Sequence, residues 1–297
     1  MILEGKDVRL SYFVTGEGPP VTLLHGFTQN GRSWLEVISR MPAGYTWIVP
    51  DLRGHGETRT PPGAPCSMDA CTADLELLWN HLGVEKTHLA GYSMGGRLAL
   101  HVAATRPARV SSLLTIGAHA GLDDDAREGR RRGDEALAER IEKDGLEAFV
   151  NHWSSLPLFA GLERRGPGFV AQIRAERMTN HVAGLACSLR GMGAGSMEPL
   201  WQKLTEVTFP CTFVAGQLDH GYVNSARRLF ATVPIGRVVI VPRAGHTVHQ
   251  ERPDAFAQLF AAHLAAAASG ITTPVSEPVS EVEPAAGDDW PSSSTSA

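Results

Sequence analysis

Ser93, Asp219 and His246 are the residues of this 297-residue chain whose types and order suit nucleophilic or base chemistry. A serine hydroxyl is a poor nucleophile or base at neutral pH until an imidazole takes its proton. The imidazole in turn needs a carboxylate to fix its tautomer and stabilise its charge. Ser93 lies in Gly91-Tyr92-Ser93-Met94-Gly95, a G-x-S-x-G pattern between a short apolar run and a helical stretch. A serine on so tight a turn needs neighbours without a Cβ two positions away on either side. The turn also sets it at the positive end of a helix, where backbone N–H groups are free. The pattern alone equally describes an ordinary glycine-rich turn. Its specificity comes from the order nucleophile, acid, base, with each residue just past the end of a strand-like run.

Other residues compete for these roles. His220, His249 and Asp254 are near in sequence, and Asp219 also suits a loop cap. The step Gly245-His246, directly after an apolar strand, favours His246. The pair His246/His249 lacks a carboxylate or cysteine ligand pattern, so no metal is expected. His25-Gly26-Phe27 follows the first buried strand. The backbone N–H groups of Phe27 and Met94 are therefore the expected oxyanion hole. The His25 side chain is as well read as a buried histidine bonded to backbone.

The elements that must position these residues alternate. Apolar runs at Val21–Leu24, Tyr45–Pro50, Leu89–Tyr92, Val110–Ile116, Pro210–Gly216 and Val238–Pro242 read as buried strands. Val8–Val14 reads as an edge strand. Helical spacing occurs around Trp34–Met41, Met68–Leu82, after Ser93, over Val223–Val233 and over Pro253–Ala267. Such alternation predicts an α/β fold, a mostly parallel sheet flanked by helices. The alternation stops over residues 118–206, where the chain is charged and helix-forming. That stretch predicts an all-helical lid inserted between core segments 1–117 and 207–268. Residues 269–297, rich in Ser, Thr, Pro and acidic residues, read as a disordered tail.

Bulk properties exclude several function classes. A formal net charge of −5 gives no electrostatic reason to expect nucleic acid or an anionic membrane as partner. No apolar run is long enough to span a bilayer, and no basic segment followed by an apolar one marks a secretory signal. Cys66, Cys71, Cys187 and Cys211 are scattered, which fits plain thiols in a cytoplasmic protein.

His25-Gly26-Phe27, Asp51-Leu52-Arg53-Gly54-His55-Gly56, Gly91-Tyr92-Ser93-Met94-Gly95-Gly96 and Ala244-Gly245-His246 together resemble the α/β-hydrolase superfamily over residues 1–268. A narrower likeness rests on Arg97 after the elbow, Gly121-Leu122, Ala126-Arg127…Arg130…Asp134 and Trp153…Leu156-Pro157-Leu158-Phe159-Ala160. With these the chain resembles the 2-succinyl-6-hydroxy-2,4-cyclohexadiene-1-carboxylate synthases of menaquinone biosynthesis. The resemblance implies a lyase that eliminates pyruvate from 2-succinyl-5-enolpyruvyl-6-hydroxy-3-cyclohexene-1-carboxylate, using the triad as base and no metal or organic cofactor. It implies a small polyanionic substrate held by Arg97, Arg130 and Arg174, in a pocket lined by Tyr92 and Trp153. Guanidinium suits carboxylate binding, and Arg97 lies one turn into the elbow helix, on the side of the serine. A serine carboxylesterase or C–C bond hydrolase would use the same triad. It would have less use for three arginines.

Overall fold

The computed structural model describes residues 1–269. Its eight strands are β1 (Ile2–Glu4), β2 (Arg9–Thr15), β3 (Pro20–Leu24), β4 (Thr46–Pro50), β5 (Thr87–Tyr92), β6 (Val110–Ile116), β7 (Cys211–Gly216) and β8 (Gly236–Val241). They form one sheet in the order β1-β2-β4-β3-β5-β6-β7-β8. The pairs β1–β2 and β2–β4 are antiparallel and all the others parallel. The expectation of a mostly parallel sheet flanked by helices is met, with β1 as an unanticipated addition to the antiparallel edge.

The described residues also form three short 3₁₀ stretches and ten α-helices: α1 (Leu35–Ile38), α2 (Met68–His81), α3 (Met94–Thr105), α4 (Asp124–Ser154), α5 (Pro167–Arg177), α6 (Val182–Met192), α7 (Trp201–Leu204), α8 (His220–Thr232), α9 (Val248–Glu251) and α10 (Pro253–Ala268). The central strands are apolar on both sides because both faces are covered. On one face Leu75 and Trp79 of α2, Leu98 and Val102 of α3 and Leu229 of α8 pack with Leu24, Leu89 and Phe213. On the other, Trp34, Val37, Phe256, Phe260 and Leu264 pack with Leu23, Ala90, Leu114 and Val239.

Helices α4 to α7 lie between β6 and β7, in the stretch read as a lid, and no strand occurs there. α4 and α6 share a separate apolar cluster of Ala138, Ile141, Phe149, Val150, Leu185, Ala186 and Leu189. The charged stretch that opens this segment forms α4, which runs on to Ser154 across a break at Gly145 where φ is +83°. The helix expected around Trp34–Met41 is only a 3₁₀ turn followed by the four residues of α1. α9 was not anticipated from sequence. The expected disordered tail lies outside the described residues apart from Ser269. No described helix is long and apolar enough to cross a membrane.

A buried ion pair fixes the loop after β4. Arg53, 2% exposed, donates through Nη2 to Asp74 (2.8 Å) and Asp7 (2.7 Å). Burial works against the Arg53 charge, but the two carboxylates outweigh it and hold the guanidinium above its usual range. The same loop anchors His25, whose Nε2 accepts the Leu52 N–H at 2.9 Å. Its Nδ1 therefore carries the proton and donates to the Gly26 carbonyl at 2.9 Å. His25 is thus a neutral strut between two loops, the bland reading of its side chain.

Burial pushes the imidazole of His25 down to about 4, and those of His55, His119, His249 and His263 to about 3. The unfolded chain protonates these rings below about 6.5 while the folded one keeps them neutral. Their stabilising contribution is complete above pH 6.5 and is lost as pH falls towards 4. Glu176, raised to about 7 by burial, and Asp74, also raised by burial, act oppositely but are two groups against five. Urea unfolding at successive pH values is expected to show stability falling on acidification from pH 6.5, by more than about 1.4 kcal/mol per pH unit, the slope of one net proton. A flat profile over that range would contradict the neutral buried rings.

Candidate active site

The site begins with backbone geometry. Ser93 joins β5 to α3 at φ +52° and ψ −109°, a conformation costing about 1–3 kcal/mol for a non-glycine residue. Its N–H donates to the Ile116 carbonyl of β6 at 2.8 Å, and its carbonyl accepts the Arg97 N–H at 2.9 Å. A Cβ on Gly91 would strike the Gly95 carbonyl, and one on Gly95 would strike those of Leu24 and His25. The two glycines of the motif are therefore required by close approach, of the helix to its own strand and to the end of β3.

Asp219 and His246 meet Ser93 because β7 and β8 are neighbours in register. Past their ends, Leu218 N donates to the Ala244 carbonyl at 2.9 Å, tying the two loops together. His246 Nδ1 lies 2.7 Å from Asp219 Oδ2, and its Nε2 lies 3.0 Å from Ser93 Oγ. A carboxylate only accepts, so Nδ1 carries the proton and Nε2 is free to take one from the serine. The imidazole is 2% exposed. Gly117, at φ +55°, leaves its space: a Cβ there would lie 2.8 Å from His246 Cε1. Asp219 stands at the start of α8 but makes no side-chain cap there, because its carboxylate goes to His246. His249 is buried against Tyr92 and Trp34, outside the Ser93–His246–Asp219 chain of hydrogen bonds. Both ring nitrogens of His246 are already engaged, and no cluster of three metal-ligating side chains occurs among the described residues.

A cavity of about 270 Å³ opens over Ser93. Phe27, Tyr92, Met94, Arg97, Arg130 and Trp153, all expected from sequence, line it. Phe27 and Met94 come from the loop after β3 and from the first residue of α3. Among the described residues, neither of their backbone N–H groups has a hydrogen-bond acceptor. The Phe27 ring stands edge-on to Trp153 of α4, with centroids 5.3 Å apart, so that core and inserted helices meet in an aromatic wall.

The arginines differ sharply. Arg97 is 8% exposed, and the one side-chain hydrogen bond it makes among the described residues runs from Nη1 to the Met192 carbonyl at 2.7 Å. No described carboxylate forms an ion pair with it. Burial pushes the guanidinium down to about 10, with Arg130 adding to that and the Tyr222 phenol and Asp134 opposing it. Arg130 is half exposed and paired through Nε with Asp134 at 2.7 Å. Arg174 does not reach the cavity, contrary to expectation. It is partly exposed and bonded to Glu147 (3.0 Å) and Asn151 (3.0 Å) of α4. The buried cation of α5 is Arg177, one turn nearer the core. It donates to Ser154 Oγ at 2.7 Å, lies 4.4 Å over the Phe159 ring, and its Nε has no partner among the described residues. Burial lowers its pKa, against the influence of Tyr92 and Glu176.

Sequence reasoning also missed Tyr222. Its ring lies against His246, tilted by 45° with centroids 4.5 Å apart, and lines the cavity. The available signal was its place three residues after the acid, one turn into α8.

Comparison with known proteins extends the picture. Residues 19–253 match the family described as alpha/beta hydrolase fold. A Bacillus subtilis protein, provisionally named a 2-succinyl-6-hydroxy-2,4-cyclohexadiene-1-carboxylate synthase, is 39% identical over 85% of this chain and 94% of its own length. The protein of that name from Enterobacter sp. is 31% identical over 88% of this chain and 96% of its own. The structure of MenH from S. aureus superposes with a TM-score of 0.82 at 29% identity, covering 86% of this chain and 98% of that one. A thermophilic esterase from Thermogutta terrifontis gives 0.76 at 28% identity, covering 88% and 94%.

The Ser93–His246 contact predicts that Ser93→Ala loses labelling by a fluorophosphonate while keeping its unfolding midpoint. A folded variant that still labels at the wild-type rate would remove Ser93 from the chemistry.

Proposed function

The chain belongs to the α/β-hydrolase fold family and, within it, to the 2-succinyl-6-hydroxy-2,4-cyclohexadiene-1-carboxylate synthases; on that premise we propose how its site works. The reaction is elimination of pyruvate from 2-succinyl-5-enolpyruvyl-6-hydroxy-3-cyclohexene-1-carboxylate, which makes the enzyme a carbon–oxygen lyase of menaquinone biosynthesis. The observation that carries this reading is Arg97. A buried guanidinium facing a cavity, with one carbonyl for a partner, is poorly compensated until an anion joins it. An ester hydrolase acting on apolar substrates gains nothing from that arrangement. A substrate with several carboxylates does.

In this reading a substrate C–H proton passes to the Ser93–His246 pair, with Asp219 stabilising the imidazolium. The electron pair left on carbon moves through the ring double bond and breaks the C–O bond to the enolpyruvyl group. That group departs as enolpyruvate, and the proton returned to it completes pyruvate. The Phe27 and Met94 N–H groups hold a substrate carboxylate or the charge that develops. Arg97 and Arg130 bind substrate carboxylates, while Tyr92 and Trp153 shape the pocket. One proton moves and one C–O bond breaks, so these side chains suffice without a cofactor. The substrate is a small polyanion, and the compartment is the cytoplasm, where free thiols such as those of the four cysteines stay reduced.

Mixing the purified protein with the enolpyruvyl substrate is expected to release pyruvate in a Ser93-dependent way. No release, with turnover of p-nitrophenyl esters, would make the protein a hydrolase instead. Arg97→Ala is expected to cut kcat/KM for pyruvate release by at least about 30-fold, the equivalent of about 2 kcal/mol for a charged hydrogen bond in a dry site. Hydrolysis of a small neutral ester is expected to change much less. Equal losses in both assays would mean that Arg97 does not read substrate charge.

A further inference from the structure

Glu251 has no part in the chemistry described so far, yet its carboxylate is buried at 1% exposure beside the base. It accepts the Gly245 N–H through Oε2 at 2.8 Å. Through Oε1 it accepts the Thr247 N–H at 3.1 Å and the Thr247 hydroxyl at 2.9 Å. These donors are the residues immediately before and after His246. A glutamate at the third position of a helix often reaches back to the N–H of the cap residue, and Glu251 reaches Thr247 from the fourth. That habit does not account for the bond to Gly245, on the far side of the histidine. Together the bonds fix the backbone on both sides of the imidazole.

The other face of the carboxylate belongs to the inserted helical segment. The 3₁₀ stretch Pro157–Arg165 packs so closely that a Cβ on Gly161 would collide with Glu251 Oε2. Arg164 of the same stretch lies 3.7 Å from Oε2 and donates to the Arg243 carbonyl at 2.7 Å. Among the described residues it is the basic side chain that pairs with Glu251. Its neighbour Arg165 donates to the Gln250 carbonyl and pairs with Glu36 at 2.6 Å. α9 therefore stands between this stretch and the base.

We propose that Glu251 is a positioning residue for His246, and that the 157–165 stretch of the lid acts on the base through it. With Gly161 and Arg164 seated, the carboxylate is dry, countered and held against the two loop N–H groups. The imidazole is then fixed within reach of both Ser93 and Asp219. When the stretch lifts away, the carboxylate gains water and loses its counter-cation, and the His246 loop loses its brace. Closure over the cavity and readiness of the base would be one event.

The proposal rests on the role assigned to the triad, so the test reads the base separately from the reaction. The rate of Ser93 labelling by a fluorophosphonate reports the Ser93–His246 pair whatever the natural substrate, whereas pyruvate release reports the lyase reading. A wild type that labels but releases no pyruvate would end the lyase reading and leave this test intact. Glu251→Gln keeps the shape but removes one acceptor. It is expected to slow labelling, and to lower kcat with KM little changed, by about 10- to 100-fold, the scale of a misplaced catalytic group. Arg164→Met, which removes the counter-cation and its bond to the Arg243 carbonyl, and Gly161→Ala, whose Cβ would push the carboxylate aside, both keep the Glu251 side chain and are expected to slow labelling in the same direction. They carry the test should Glu251→Gln fail to fold. Wild-type labelling and kcat in a folded Glu251→Gln, or in both lid variants, would overturn the proposal.

Discussion

The left-handed backbone of Ser93 sets terms that the rest of the site obeys. A serine at φ +52° is held there only because strand, turn and helix are packed too closely for any relaxed alternative. Gly95 lets α3 approach the carbonyls at the end of β3, and that approach aligns the Met94 N–H with the loop carrying the Phe27 N–H. The Ser93 N–H is spent on β6, so the hydroxyl points up and away from the sheet. The space left by Gly117 at the end of the same β6 is where the imidazole stands. Nucleophile, oxyanion donors and base are thus placed by the ends of neighbouring parallel strands, β3, β5, β6, β7 and β8.

Two buried arginines show how burial separates architecture from recognition. Arg53 is enclosed and matched by two aspartates, which raise its affinity for the proton and fix the loop that anchors His25. Arg97 is enclosed to a similar degree and matched by one carbonyl, and its proton affinity falls. A protein gains little stability from a charge held in that second way. The cost is understandable where a ligand supplies the missing anion, and Arg97 lines the cavity above Ser93.

Of the helices between β6 and β7, α4 and α6 have an apolar cluster of their own, while Met192, Leu200 and Leu204 join the main core beside α3. Phe27 meets Phe149 and Trp153, and Asn180 donates to the Thr28 carbonyl at 2.7 Å. Among the contacts of this segment are those with the oxyanion loop and with α9, two places where displacement would be felt at Ser93 and His246.

Much of this was legible in the residues themselves. Strand and helix periods are local, and so is the demand of G-x-S-x-G for residues without a Cβ; Ser93, Met94 and Arg97 could be placed from one short stretch. Asp219 and His246 could be named because each follows an apolar strand, where parallel sheets gather their sites. What the chain alone could not decide depends on side chains meeting across long separations. Arg174 and Arg177 are one helical turn apart and equally basic, and only the packing of α5 along α4 shows that the first faces Glu147 while the second is buried over Phe159. Tyr222 and Glu251 carry no motif, and their places beside His246 follow from how α8 and α9 leave the ends of β7 and β8. The sequence by itself determined which chemical groups are present and which strand ends carry them, because local spacing governs both. Only the tertiary structure decided which cations are buried, which are neutralised and what braces the base, because those outcomes depend on partners brought together from across the chain.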